Sequence, residues 1–460
     1  MSSPSTEASP TGSASPPSPP IALRPRAPRD LGRLGLPHNF LVDLIGKVLF
    51  LQGRLRLLEL SAALKLPPSV LAEVLKFMRG ERYVELTLQG NTDADTDCKL
   101  TDAGRDRAIE ALERCQYAGP APVTLTEYQA MVRSQSLGHL TLDAATVRNA
   151  FEGLVIARST IDQMGAAMNS GRAILLYGPA GSGKTFLAEH LASLLPGEIA
   201  VPHAILVGGE VVQIYDPLIH EPAPGAQSLA PSIVRSDIDE RWVLCKRPVV
   251  ITGGELTLSM LDLQFDGGTR FYQAPPHLKA NGGMFIVDDL GRQLVSPREL
   301  MNRWIVPLDR QRDYLSLHNG FKFVVPFDMT VVFSTNLRPS QLADDAFLRR
   351  FGYKTFIGPM DLESYRSVFQ TNCDEMEVRW DARAFDWLIA ERHSREERPL
   401  LACFPRDLVG RVRDFASYEG VAAELSPETL SRAWSTYFVN DGDASWTSTA
   451  SAAGPGPGAE

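Results

Sequence analysis

Gly178-Pro179-Ala180-Gly181-Ser182-Gly183-Lys184-Thr185 decides how this chain is read. It fits G-x-x-x-x-G-K-[ST], the P-loop pattern. The apolar run Ala173-Ile174-Leu175-Leu176-Tyr177 leads into it and predicts a buried strand. Phe186-Leu187-Ala188-Glu189-His190-Leu191-Ala192 follows and predicts a helix. In that setting the glycines let backbone N–H groups curl around phosphate oxygens, and the helix N-terminus adds partial positive charge. Lys184 would bridge the β- and γ-phosphates and the Thr185 hydroxyl would ligate Mg²⁺, so ATP and Mg²⁺ are the implied ligands. The competing reading is a chance glycine-rich turn. The complete pattern, set between strand and helix, argues against it.

Two further apolar runs end in polar residues. Gly283-Met284-Phe285-Ile286-Val287-Asp288-Asp289 has the Walker B form. Asp288 would hold the Mg²⁺ hydration shell and Asp289 would polarise the attacking water. Buried strands often end in Asp, so the motif gains its force from lying downstream of a P-loop. Thr330-Val331-Val332-Phe333-Ser334-Thr335-Asn336 is another buried strand, tipped by an amide. Asp344-Asp345-Ala346-Phe347-Leu348-Arg349-Arg350-Phe351 follows, and Phe404-Pro405-Arg406-Asp407-Leu408 opens a later helix.

This order of signatures resembles the AAA+ ATPases over about residues 141 to 440. The resemblance implies an α/β P-loop core with a C-terminal helical lid. It implies that Asn336 is sensor 1, which orients the lytic water. It makes Arg349 or Arg350 the finger that reaches a neighbour's nucleotide, and Arg406 the sensor 2 arginine that touches the γ-phosphate in cis. A charge supplied in trans lets hydrolysis report subunit contact and stabilises the transition state. The bland alternatives are a surface ion pair for either arginine and a strand cap for Asn336. The family usually carries Asp-Glu where this chain has Asp288-Asp289, and the missing methylene leaves fast hydrolysis open.

Spacing is the second departure. Lys184 and Asp288 are 104 positions apart, more than a compact core of this kind needs. The excess reads as β-rich: a hairpin over Ala204 to Tyr215 turning at Gly208-Gly209, an alternating stretch from Trp242 to Thr252, and Leu261 to Pro275 turning at Asp266-Gly267-Gly268. Tyr314 to Phe323 is a hairpin around Asn319-Gly320. A hairpin just before sensor 1 and an insert before Walker B resemble the branch with MoxR-type chaperones and sigma-factor activators, although the activators' phenylalanine-bearing loop motif is absent. Some chaperone-like bacterial ATPases linked to pilus assembly have a similar layout. Tyr215, Phe271 and Tyr272 are candidates for gripping a substrate in a central pore, but aromatics on strands are more often core.

Upstream, residues 1–33 form a Ser/Pro-rich tail expected to be disordered. Residues 34–116 read as a winged helix (α+β). Helices are predicted from His38 to Leu51, from Leu57 to Leu66, and from a Ser69 N-cap through Met78. A hairpin joins Tyr83–Leu88 to Cys98–Thr101, and a closing helix runs to about Cys115. Leu100-Thr101-Asp102-Ala103-Gly104-Arg105 resembles the wing-to-helix junction of many bacterial winged-helix proteins. The third helix offers Ser69, Glu73, Lys76 and Arg79, and the wing carries Asp93, Asp95 and Asp97, which would repel phosphate. Protein docking is therefore preferred to DNA reading. Residues 117–140 read as a linker with a short helix, 141–358 as the ATPase core beginning with one amphipathic helical stretch from Val147 to Met168, 359–440 as the lid, and 441–460 as a disordered tail.

The totals agree. A net charge of −9 argues against a chain that coats nucleic acid as a whole, without excluding a local basic patch. Five scattered cysteines form no C-x-x-C pair and suit reduced thiols of a cytoplasmic protein. No apolar run is long enough for membrane insertion, and the N-terminus lacks a signal-peptide core. The expectation is an ATP-hydrolysing ring, six subunits by resemblance, that remodels an unknown protein client. The rivals are a DNA-binding ATPase of transcription or replication, and an ATP-gated switch with little hydrolysis.

Overall fold

The computed structural model describes residues 24–88, 96–224, 237–342 and 344–438. The C-terminal tail, most of the N-terminal tail, and wing residues Asp93 and Asp95 lie outside the described residues.

A five-stranded parallel sheet forms the centre. Its strands are β1 (Ala173–Tyr177), β2 (Val249–Thr252), β3 (Met284–Val287), β4 (Thr330–Thr335) and β5 (Phe351–Phe356), in the order β2-β3-β4-β1-β5. Successive side chains point to opposite faces of a strand. Leu175, Phe285, Val287, Val331 and Phe333 accordingly enter one core with Trp304, while Ile174, Leu176, Met284, Ile286 and Val332 enter the other. Both faces are covered, which is why these strands read as continuous apolar runs.

Helix α1 (Lys184–Ala192) follows the P-loop. Helix α2 (Pro297–Arg310) follows β3 and starts with a capping box, in which Ser296 and Glu299 satisfy each other's backbone N–H groups. The C-terminal helical region comprises α3 (Leu362–Glu375), a helix from Ala382 that widens into a π-helical stretch to Ser394, α4 (Cys403–Glu419) and α5 (Pro427–Tyr437). Its core is aromatic, around Tyr365, Phe369, Phe385 and Trp434.

The N-terminal region has helices His38–Gln52, Leu57–Leu64 and Pro68–Gly80, then Asp102–Arg114 after the hairpin. Ser69 lies inside the third helix, which starts a residue earlier on Pro68, where proline's fixed φ suits a first helical position. Leu55–Arg56 adds a third strand to the hairpin by pairing with Cys98 and Asp97.

Several expectations meet longer-range pairing. Part of the tail is held: Ala27 N–H donates to Asp237 O and Asp239 N–H donates to Pro25 O. Residues 117–140 do more than link, since Val123–Thr124 pairs in parallel with Ala204–Val207 at the edge of a second five-stranded sheet. The stretch Trp242–Thr252 divides at Pro248, which has no N–H to give a ladder. Trp242–Lys246 pairs with Glu198–Pro202, and Val249–Thr252 is β2 of the central sheet. The single helix expected over Val147–Met168 is two, Ala144–Ala150 and Arg158–Asn169, because Gly153 turns the chain at φ 85°.

The insert sheet seats the N-terminal region. Ala204 and Val211 share a core with Leu44, Val48 and Leu60, while Ile205, Val207 and Val212 face the other way onto Tyr272 and Phe323. Tyr272 is buried, and Tyr215 stacks on His220 inside the insert. Phe271 packs edge-on against Tyr117. All three aromatics therefore have packing roles.

One buried ion cluster clamps the hairpin Arg312–Pro326 to α2. Asp313 accepts from Arg303 at 2.7 and 2.8 Å, and His277 Nε2 lies 3.0 Å away. Burial alone would raise the Asp313 pKa, but the bonds to His277 and Arg303 outweigh it and bring it down to about 2. Folded Asp313 thus binds its proton more weakly than the unfolded chain does. Its stabilisation is complete above the ordinary carboxylate value and is lost as pH falls towards 2. Asp313→Asn is expected to cost about 3 kcal/mol near neutral pH, because it leaves Arg303 half-paired. It should also flatten the fall in melting temperature between about pH 4 and pH 2, which thermal unfolding across that range would measure.

Candidate nucleotide-binding and hydrolysis site

The strand order sets the site. Ligands of parallel α/β sheets bind outside the carboxyl ends of the strands. Here β4 lies between β1, which carries the P-loop, and β3, which carries the two aspartates. Thr335 is level with Tyr177 on one side, and Phe333 is level with Val287 on the other. Asn336, one residue past β4, therefore emerges between Lys184 and Asp289.

The side chains close that arrangement. Lys184 Nζ donates to Asn336 Oδ1 at 2.8 Å, and Asn336 Nδ2 donates to Asp289 Oδ1 at 2.8 Å. The other two Lys184 bonds go to Pro179 O at 2.8 Å and Gly178 O at 3.1 Å. Burial lowers the Lys184 pKa, opposed by Asp289 and then Asp288. Thr185 Oγ1 is 2.9 Å from each carboxylate oxygen of Asp288.

The P-loop fits a phosphate cradle. Gly178, Gly181 and Gly183 have φ of 152°, 80° and 91°. A Cβ on Gly181 would meet Cys403 Sγ at 2.4 Å, and one on Gly178 would meet Ile357 O at 2.0 Å. Ser182 Oγ and Ser334 Oγ are buried without a hydrogen-bond partner, and both residues line the same cleft. That cleft of about 800 Å³ also takes in Ala180, Lys184, Thr185, Asp289, Asn336, Met360 and Arg406. Its size suits a nucleotide. The start of α4 and the P-loop meet where Cys403 N–H donates to Gly181 O at 3.0 Å. Arg406 follows in the first turn of α4.

Mg²⁺ also fits the donors present. Thr185 and Asp288 are oxygen donors, and Mg²⁺ is usually held by one or two such groups, with waters and substrate phosphates completing its shell. Among the described residues no group of three or more His, Cys, Asp or Glu stands ready for a metal.

Arg349 and Arg350 stand outside this cleft. Arg350 pairs with Asp309 at 3.0 Å and donates to Ala346 O at 2.9 Å. Arg349 is exposed, and its side chain makes no hydrogen bond or ion pair among the described residues.

Two neighbours of Asp289 escape sequence reasoning. Arg292 lies 4.0 Å from its carboxylate and lines the cleft. Gln293 is buried and bonds to the backbone on both sides of it. Asp289 itself has φ 48°, a left-handed conformation that costs a non-glycine residue about 1–3 kcal/mol. No motif announces Gln293; a polar residue inside an otherwise tight loop is the only trace.

A model for a domain of unknown function, DUF8689, matches residues 361–436, which take in the C-terminal helices α3 and α4 and most of α5. A search of curated proteins finds no match. Among solved structures the chain is similar to NtrX from Brucella abortus in complex with ATP, at 15% identity and a TM-score of 0.38. That match covers 72% of this chain and 63% of NtrX, so less than two thirds of NtrX is spanned. The Holliday junction branch migration motor RuvB of Thermotoga maritima is similar at 16% identity and a TM-score of 0.34, covering 68% of this chain and 74% of that one.

Proposed function

We propose that this chain is an AAA+ ATPase that binds ATP and Mg²⁺ between subunits of a hexameric ring and uses hydrolysis to remodel a protein client. The observation that carries the reading is the Lys184–Asn336–Asp289 chain across adjacent strand tips, beside Thr185 and Asp288. Lys184 would neutralise charge developing on the phosphates, and Arg406 would add to it from the lid. Mg²⁺, held by Thr185 and Asp288, would neutralise phosphate charge. Asn336 would fix the attacking water between its amide and Asp289, which acts as base. Arg349, exposed and unpaired, would complete the neighbouring subunit's site.

The N-terminal region, read as a winged helix, would hold the client. The exposed apolar residues Phe50, Leu51, Leu58 and Phe77 favour protein docking there. Arg54 is taken up by Asp97, so that cation is not free to meet a phosphate backbone. Five unpaired cysteines suit a cytoplasmic setting, and no described helix is long and apolar enough to cross a membrane.

Phosphate release should be measured over a range of protein concentrations for wild type and Lys184→Ala. Turnover per protomer is expected to rise with concentration in wild type and to vanish in Lys184→Ala. Wild-type turnover no higher than that of Lys184→Ala would replace the motor with an ATP-gated switch.

A further inference from the structure

The loop that carries Asp289 is held from below by one buried amide. Gln293 Nε2 donates to Asp288 O at 3.0 Å and to Gly253 O at 3.2 Å, with Asp289 O at 3.4 Å. Its Oε1 accepts from Gly291 N–H at 2.8 Å. The amide thus spans the end of β2, the end of β3 and the turn itself. Inside that turn Arg292 N–H donates to Asp289 O at 3.0 Å, and Gly291 has φ 110°. On the other side β4 holds the loop, since Leu290 N–H donates to Ser334 O at 2.8 Å and Thr335 Oγ1 donates to Leu290 O at 2.6 Å.

We infer that Gln293 is a positioning residue for hydrolysis, fixing the left-handed backbone of Asp289 and so aiming its carboxylate at the water. The inference rests on the ATPase reading above. An aspartate has one fewer methylene than the glutamate usual at this place. With one torsion fewer than glutamate, its carboxylate has less reach, so its aim depends more on where the backbone puts it. That backbone is left-handed, a conformation that still costs free energy in any residue with a side chain, although aspartate bears it better than most, and it relaxes unless something holds it. Gln293 is the side chain that holds it by hydrogen bonds to both flanking peptide groups. It touches neither Lys184 nor Thr185, so ATP affinity does not depend on it.

The test uses the full-length chain and Gln293→Met, which keeps side-chain volume and removes all four bonds. Turnover and the affinity for a non-hydrolysable ATP analogue with Mg²⁺ are measured together. Turnover is expected to fall about 10- to 100-fold, the order produced by a misplacement of about 1 Å, with affinity changed less than about threefold. A lost fold would lower both, so Gln293→Glu, which keeps the shape and the acceptor but loses the donors, is measured beside it. It is expected to show the same split. Turnover within about twofold of wild type in either folded variant overturns the inference and leaves the ATPase reading intact. Equal losses of affinity and turnover in both would reduce Gln293 to a packing residue and overturn it too. Wild-type turnover no higher than Lys184→Ala would remove the ATPase reading and this inference together.

Discussion

Asp289→Asn is expected to lower turnover by about 10²- to 10⁴-fold while leaving ATP affinity within about threefold of wild type. The substitution is clean in this structure. Asparagine keeps an oxygen that can accept from Asn336 Nδ2. It also enters the left-handed region more readily than most residues, so φ 48° is retained. What it lacks is the basic oxygen that takes a proton from water. Lys184 loses one carboxylate that raises its pKa but keeps Asp288, so the ammonium still meets phosphate. Phosphate release and binding of a non-hydrolysable ATP analogue separate the two effects. A variant that turns over within threefold of wild type would remove Asp289 from the chemistry and leave the base to be found elsewhere in the cleft.

Much of this site was legible because its parts are local. The P-loop, the paired aspartates and Asn336 each sit at the end of an apolar run short enough to read by eye, and burial on both sheet faces keeps those runs uninterrupted. What the chain does not write locally is which strands are neighbours. That β4 separates β1 from β3, so that Asn336 bridges Lys184 and Asp289, is a property of long-range pairing, of Val332 with Ile174 on one side and of Thr330 with Met284 on the other. The same limit explains the linker that became an edge strand at Val123–Thr124, and β2, which read as the end of one alternating stretch in the insert. Gly153 is a different case. A glycine that turns the chain inside a periodic stretch is a visible stop signal, and the residues after it line the cleft. Gln293 left only the trace of a polar residue in a tight loop, because its partners are backbone groups and any sequence supplies those.

The two arginines were indistinguishable in sequence, and their surroundings now part them. Arg350 is held by Asp309 and Ala346 O, with its guanidinium 5.7 Å from the Phe347 ring centroid. Arg349 is exposed at the end of the same short helix, without a side-chain partner among the described residues. On the ring reading proposed above a finger must leave its own subunit, and Arg349 can do so without breaking an ion pair to any described residue. Arg349→Ala is therefore expected to reduce turnover by about 10³- to 10⁵-fold, the range for arginine fingers, with ATP affinity and melting temperature little changed. Arg350→Ala should instead lower the melting temperature modestly and leave most turnover in place. A mixing experiment isolates action in trans. Arg349→Ala and Asp289→Asn are each expected to be inactive alone. In a mixed ring an Arg349→Ala subunit keeps an intact Asp289 and can receive Arg349 from an Asp289→Asn neighbour. Turnover should reappear on mixing and rise with total protein as rings assemble. No recovery in the mixture, or recovery only when Arg350→Ala replaces Arg349→Ala, would reassign the finger and with it the geometry of the subunit interface.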